Sequence, residues 1–121
     1  MGDHVVARVG DIPDRGRIIV ELEGRSIGVF NIGGEFFALR NRCLHQGGEV
    51  CTGGLFPAVK AEILSSGRIR EYFDHAQVFV ACPWHGWEYD VRTGRCVFDP
   101  KRRLVTFQTK VQDGNVVVVV R

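Results

Sequence analysis

Short alternations of apolar and polar residues run along most of this chain, and they predict strands rather than helices. The predicted strands cover residues 17–23, 27–32, 35–39, 77–81, 87–91, 95–98, 104–110 and 116–120. Turn residues separate several of them, at Gly24-Arg25, Gly33-Gly34, Thr93-Gly94 and Asp113-Gly114-Asn115. No heptad or βαβ pattern competes, so the sequence predicts an all-β fold, an antiparallel sandwich or barrel.

The last predicted strand is a run of valines from Val116 to Val120. Valine is β-branched and uncharged, and an exposed run of it would invite pairing with other strand edges. We therefore expect this strand to be buried on both faces.

Residues 50–76 form a predicted insertion between two parts of the β pattern. We expect an extra hairpin with its turn at Ser65-Ser66-Gly67, and a short helix over 58–64 is the alternative. The insertion either shapes a docking surface or is a surface excursion without a role.

Length and composition restrict the classes of protein. A chain of 121 residues forms one domain, 1–121, and 45% hydrophobic with 25% charged residues is the composition of a globular protein. The net charge of +2 is too small to indicate nucleic-acid binding. The cluster Lys101-Arg102-Arg103 is either a solvated turn or an electrostatic contact site for an acidic partner.

The N-terminus lacks a signal-peptide pattern and no apolar run approaches the ~20 residues of a membrane helix. We expect a cytoplasmic protein that does not bind membranes.

Two cysteine-histidine pairs carry the chemistry. They are Cys43-Leu44-His45 and Cys82-Pro83-Trp84-His85. Thiolate and imidazole ligands suit zinc or an iron–sulfur cluster rather than magnesium or calcium. The first spacing is tight for two ligands of one tetrahedral zinc. It fits a two-iron cluster better, where both cysteines bind one iron and both histidines the other.

The sequence around these pairs resembles the Rieske family. The run from Cys82 to Asp90, followed by Thr93-Gly94, is similar to the family's second cluster loop, and the run from Cys43 to Gly48 resembles the first. The resemblance extends from about residue 17 to the C-terminus. It implies a Rieske-like antiparallel sandwich or barrel, with two cluster-binding loops at one end and the inserted excursion between them. It also implies one [2Fe–2S] cluster whose iron ligands are Cys43, His45, Cys82 and His85.

The same resemblance assigns supporting roles near the cluster. Gly47 lets backbone amides approach the inorganic sulfides, and Pro83 stiffens the second loop. The side chains of Leu44, Pro83 and Trp84 are expected at the rim, as a docking patch or packed against the other loop.

Two aromatic residues after the second pair bear on the reduction potential. Trp87 stands where high-potential respiratory members carry a serine that bonds a sulfide. Tyr89 matches their tyrosine, whose hydroxyl bonds a cysteine sulfur, although it could simply be a core aromatic. We expect a potential in the lower part of the Rieske range of about −150 to +300 mV.

Cys51 and Cys96 lie outside the two cysteine-histidine pairs and are not expected to be cluster ligands. We expect two buried thiols, and a disulfide between them is the alternative. The disulfide that links the two cluster loops of respiratory members should be absent, because Trp84 occupies the matching position.

The function that follows is electron transfer rather than catalysis. The chain has only His4 and His75 besides the motif histidines, and it has no nucleotide motif or nucleophile–base pair. We expect a one-electron carrier, a ferredoxin between a flavin-dependent reductase and a terminal oxygenase or similar acceptor. The alternatives are a non-catalytic subunit of a stable oxidoreductase complex, of the nitrite-reductase small-subunit type, and a zinc-stabilised interaction domain.

Overall fold

The computed structural model describes residues 2–44, 47–84 and 86–121, and in these residues regular structure is mainly β. Two single-turn 3-10 helices occur at Val9–Asp11 and Val50–Thr52. The strands are β1 (Gly2–Arg8), β2 (Arg17–Leu22), β3 (Arg25–Ile32), β4 (Glu35–Arg40), β5 (Leu55–Ile63), β6 (Ile69–Ala81), β7 (Glu88–Asp90), β8 (Thr106–Gln112) and β9 (Asn115–Val120).

Six strands form the larger sheet, in the order β1-β9-β8-β4-β3-β2, and each pairs antiparallel with its neighbour. The sheet curves into a nearly closed barrel, which confirms the predicted fold class. All five valines of β9 are buried, since this strand lies between β1 and β8 and contributes to the barrel core. The expectation for the valine run is therefore confirmed.

The smaller sheet has the order β5-β6-β7 and contributes to a second core. This core contains residues of both sheets, including Phe30 and Leu39 from the large sheet and Val80 from β6. Cys43 follows the end of β4, and Cys82 follows the end of β6 directly. Both cysteines belong to this second core, so the two sheets bring the two motifs together.

The insertion is a hairpin, as predicted, and the alternative of a helix over 58–64 is wrong. Strand β5 pairs with β6 along its length. A register shift between Pro57 and Ala58 divides the hairpin into an inner and an outer part. His75 lies within β6 and is exposed.

The part of this hairpin beyond the register shift, residues 58–74, is the outer hairpin; it is amphipathic, and its apolar face is exposed. Val59 pairs with Phe73 and Ile63 with Ile69, and these four side chains are 64, 63, 81 and 69% exposed, respectively. The opposite face is charged and internally paired, through Glu62–Arg70 at 2.8 Å and Lys60–Asp74 at 2.5 Å.

The strand predictions need three corrections. Residues 95–98 are not a strand and make only isolated bridges, Tyr89–Cys96 and Arg95–Arg103, because a turn through Pro100 interrupts the pairing. The strand predicted at 104–110 is displaced to Thr106–Gln112. β1 was not predicted, since its pairing with β9 joins the two ends of the chain and leaves little local signal.

The roots of the two cysteine loops are in direct backbone contact. The amide of Ala81 donates to the carbonyl of Gly54 at 3.0 Å, and a Cβ at Gly53 would lie 1.6 Å from the carbonyl oxygen of Ala81. Only glycine fits between these two backbones.

We predict that Gly53→Ala lowers the free energy of unfolding by about 3 kcal/mol, because the clash is with backbone and a backbone shift is costly. Gly10→Ala is the matched control, since a Cβ at Gly10 meets no atom within 4 Å. Urea denaturation of both variants measures the difference. Equal stability of the two variants would contradict the close approach.

Candidate metal centre

The two predicted cysteine ligands lie at the inner side of the loops. Cys43 is 3% exposed and Cys82 is 2% exposed, and neither forms a disulfide. Cys82 is held by the end of β6, while Cys43 lies three residues beyond β4. His45 and His85 lie outside the described residues.

The two loops share one backbone hydrogen-bond pattern. In the first, the Cys43 amide donates to the Gly48 carbonyl at 2.7 Å, and the Gly47 amide donates to the Cys43 carbonyl at 2.9 Å. In the second, the Cys82 amide donates to the Trp87 carbonyl at 2.7 Å, and the Gly86 amide donates to the Cys82 carbonyl at 2.9 Å. The loops therefore present their cysteines from equivalent turns, although the histidine follows two positions later in one and three in the other.

A glycine with positive φ makes each turn possible. Gly47 has φ of 73° and Gly86 has φ of 72°, a conformation that residues with a Cβ adopt at a cost. The glycine that follows each cysteine-histidine pair is therefore needed for the positive φ of its turn. The sequence alone did not specify this role.

The loops also pack against each other. A Cβ at Gly48 in the first loop would lie 2.8 Å from the Trp84 indole of the second loop. Trp84 covers this glycine and is still 58% exposed. The expected packing of Trp84 on the other loop is confirmed, and its exposed side chain leaves the docking role a prediction.

The rest of the rim is also exposed. Leu44, Gly47 and Pro83 lie at the surface, whereas Trp87 is half-buried against the second core. Its ring meets the exposed Phe98 edge-on, with ring centroids 4.5 Å apart. Leu44, Trp84 and Phe98 therefore give part of the surface around the loops an apolar character.

Tyr89 on β7 reaches the first loop. Its hydroxyl lies 3.3 Å from Cys43 Sγ and accepts the Leu44 amide at 3.3 Å. Burial and the hydrogen bond to Cys43 raise the pKa of the tyrosine well above its usual range, so the hydroxyl keeps its proton. The expected hydrogen bond between this tyrosine and a cysteine sulfur is confirmed, and the sulfur is that of Cys43.

A polar anchor that the sequence did not reveal fixes the end of the first loop. The Arg17 guanidinium donates to the carbonyls of Cys51, at 2.7 Å, and Gly53, and it lies over the Phe30 ring. Because 34 residues separate Arg17 from Cys51, no local pattern could have indicated this contact.

Cys51 and Cys96 are buried and unpaired, which confirms the expectation of two thiols and excludes the alternative disulfide. Cys51 Sγ lies 3.6 Å from the Leu39 carbonyl. Burial raises the pKa of the Cys51 thiol to about 12, so it is protonated at neutral pH.

The chain belongs to the Rieske [2Fe-2S] domain family, whose family model matches residues 2–109. It carries the one [2Fe–2S] cluster that defines this family. Family membership disfavours the zinc-stabilised domain that the ligand types alone left open.

Known proteins resemble the chain over its full length. The 3-phenylpropionate/cinnamic acid dioxygenase ferredoxin subunit of Photorhabdus laumondii is 31% identical over 121 residues, covering 99% of this chain and 96% of the relative. The fold is similar to that of the ferredoxin of carbazole 1,9a-dioxygenase from Nocardioides aromaticivorans, with a TM-score of 0.73, 18% identity and 100% of both chains covered. It also resembles a protein assigned as a nitrite reductase (NADPH) small subunit, with a TM-score of 0.68, 15% identity, and 99% and 100% coverage.

One finding bears on membranes. Among the helices of the described ranges, none has the length and apolar character that crossing a bilayer requires.

We predict that iodoacetamide at pH 8 labels Cys51 only after unfolding, because the buried thiol is neutral and the thiolate is the nucleophile. Its folded pKa lies above the unfolded value near 9.0. The stability that it contributes is therefore present below about pH 9 and is lost as pH rises toward 12. Peptide mapping by mass spectrometry, with and without guanidinium chloride, checks this. Rapid labelling of the native protein would contradict it.

Tyr89→Phe should lower the reduction potential by roughly 40 mV, the equivalent of one hydrogen bond of about 1 kcal/mol for a one-electron couple. The bond to Cys43 Sγ stabilises the more negative, reduced state. Potentiometry measures the change. Tyr72→Phe, on the outer hairpin, is the matched control and should leave the potential unaltered. An unchanged potential in Tyr89→Phe would mean that the hydroxyl does not affect the centre.

Proposed function

We propose that this protein is a one-electron carrier, a ferredoxin that accepts electrons from a flavin-dependent reductase and delivers them to a terminal oxygenase or a similar acceptor. In this proposal Cys43 and Cys82 hold one iron, and His45 and His85 hold the other. The cytoplasm is its proposed location. The full-length likeness to a dioxygenase ferredoxin subunit supports this function over that of an enzyme.

The observation that carries the proposal is the pair of equivalent turns, each presenting a buried cysteine in the same core. Two buried thiols that form no disulfide are the donor set that one iron of a Rieske cluster needs. The described residues therefore fit the group.

When bound, the cluster takes up and releases a single electron. The protein's own residues supply the surroundings. Tyr89 keeps a hydroxyl at Cys43 Sγ, and the core excludes water from both cysteines. The exposed Leu44 and Trp84 give an apolar patch where a redox partner can approach closely.

We predict that Cys43→Ser and Cys82→Ser abolish the bound iron and the rhombic EPR signal of the dithionite-reduced protein. Cys51→Ser and Cys96→Ser are matched controls, since both thiols are buried but lie outside the turns. They should keep two irons per chain. Iron analysis and EPR of anaerobically purified variants measure this.

An iron-free native protein that is folded and was never exposed to oxygen would overturn the proposal. Loss of iron in Cys51→Ser equal to that in Cys43→Ser, with both variants folded, would contradict the proposed ligand assignment.

The second candidate function is a non-catalytic subunit in a stable oxidoreductase complex. The uncovered apolar face of the outer hairpin favours it, because stable interfaces bury such surfaces. Size-exclusion chromatography with light scattering on protein from its native cells distinguishes the two. Elution as part of a larger assembly would support the subunit, and elution of the free chain would support the carrier.

A further inference from the structure

A basic pocket lies beside the first cysteine loop, with Arg42 and Gly47 of that loop in its lining. It has a volume of about 240 Å³ and is lined by Arg25, Arg40 and Arg42, together with Ser26, Asn41 and Gly47. Arg25 begins β3 and Arg40 ends β4, so the antiparallel pairing of these strands places them at one end of the sheet. Arg42 directly precedes the cysteine of the first loop.

The three guanidinium groups have no acidic partner among the described residues. Among the described residues, the arginines that form ion pairs are Arg70, Arg92 and Arg102. The nearby carboxylate of Glu23 is already held by His4, at 2.6 Å. Three like charges around one pocket repel each other, and an anion between them would remove that cost.

Hydrogen bonds fix two of the lining residues, Ser26 and Asn41. The Asn41 side-chain amide donates to Ser26 Oγ at 3.1 Å, and its Oδ1 accepts the Cys51 amide at 2.8 Å. Asn41 is buried, and its side chain links Ser26 on β3 to the backbone of Cys51. The arginines therefore project from a rigid frame rather than from a loose surface.

We infer that this pocket binds carboxylate side chains on an acidic surface of the redox partner. Guanidinium groups recognise carboxylates through paired hydrogen bonds, and half-buried arginines retain more of that energy than exposed ones. Arg25 and Arg40 are half-buried. The inference rests on the proposed function, because it assigns a recognition site to the partner of the electron carrier.

The position of the pocket suits that role. Arg42 lies along Gly47 of the first loop, since a Cβ there would be 3.5 Å from its Nε. A carboxylate bound here would dock the partner directly beside the exposed rim. The other basic cluster, Lys101-Arg102-Arg103, is less suited, because it is exposed and Arg102 already pairs with Asp99 at 3.3 Å.

The test is isothermal titration of the iron-loaded protein with hexaglutamate peptide at low ionic strength. The triple variant Arg25→Gln, Arg40→Gln, Arg42→Gln is compared with Lys101→Gln, Arg102→Gln, Arg103→Gln, which removes the same charge elsewhere. We expect the pocket variant to bind the peptide at least tenfold more weakly and the control less than threefold more weakly. EPR of each variant verifies the cluster, so loss of the site is distinguished from failure of the proposed function.

Three results would overturn the inference. They are equal weakening in both triple variants, no measurable binding of hexaglutamate to the native protein, and binding of inorganic phosphate in its place. If the pocket triple variant does not fold, the single variant Arg42→Gln replaces it, with Arg103→Gln as its control. A selective loss of at least threefold in Arg42→Gln is then the expected result, and equal binding by the two single variants would count against the pocket.

Discussion

The contact between the backbones of Gly53 and Ala81 is the constraint on which the rest of this site depends. It joins the end of the first loop to the strand that delivers the second cysteine. Because two main chains meet here, neither side can yield through a change of rotamer. This approach helps to set the relative position of the two cysteine turns, together with the packing of Trp84 on Gly48, and the shared core encloses both cysteines.

Polar groups of the large sheet reinforce that contact from outside. Arg17 on β2 holds two carbonyls at the end of the first loop, and Asn41 after β4 holds the Cys51 amide. The first loop is thus tied to the barrel by hydrogen bonds, whereas the second loop continues directly from β6. The equivalent turns of the two loops are therefore supported in different ways. The first depends on hydrogen bonds with the side chains of Arg17 and Asn41, and the second on strand pairing.

The surface around the loops divides into regions of different chemistry. The rim is apolar, at Leu44 and Trp84, and the pocket with its three arginines lies next to the first loop. The outer hairpin has a separate apolar face. Its opposite face carries charged side chains that form ion pairs with each other. A small electron carrier needs a short-lived partner contact, and adjacent apolar and charged regions suit such a contact.

The sequence by itself determined most strands, the turns between them and the two cysteine-histidine motifs. Each of these features is local: alternation within a strand, glycine in a turn, or a cysteine and a histidine within a few residues. The sequence also indicated Tyr89 through its place in a motif. The strand predicted at 95–98 was wrong, because a turn at Pro100 prevents pairing although these residues have β propensity.

Only the tertiary structure decided which cysteine Tyr89 meets, that Arg17 anchors the first loop, and that Arg25, Arg40 and Arg42 share one pocket. These contacts join residues that pairing between strands and packing between sheets bring together across the chain. A local sequence pattern does not indicate such contacts, because residues far apart in the chain come together only when the whole fold forms. The cysteine and histidine residues proposed as ligands can thus be found in the sequence, while their surroundings depend on the folded chain.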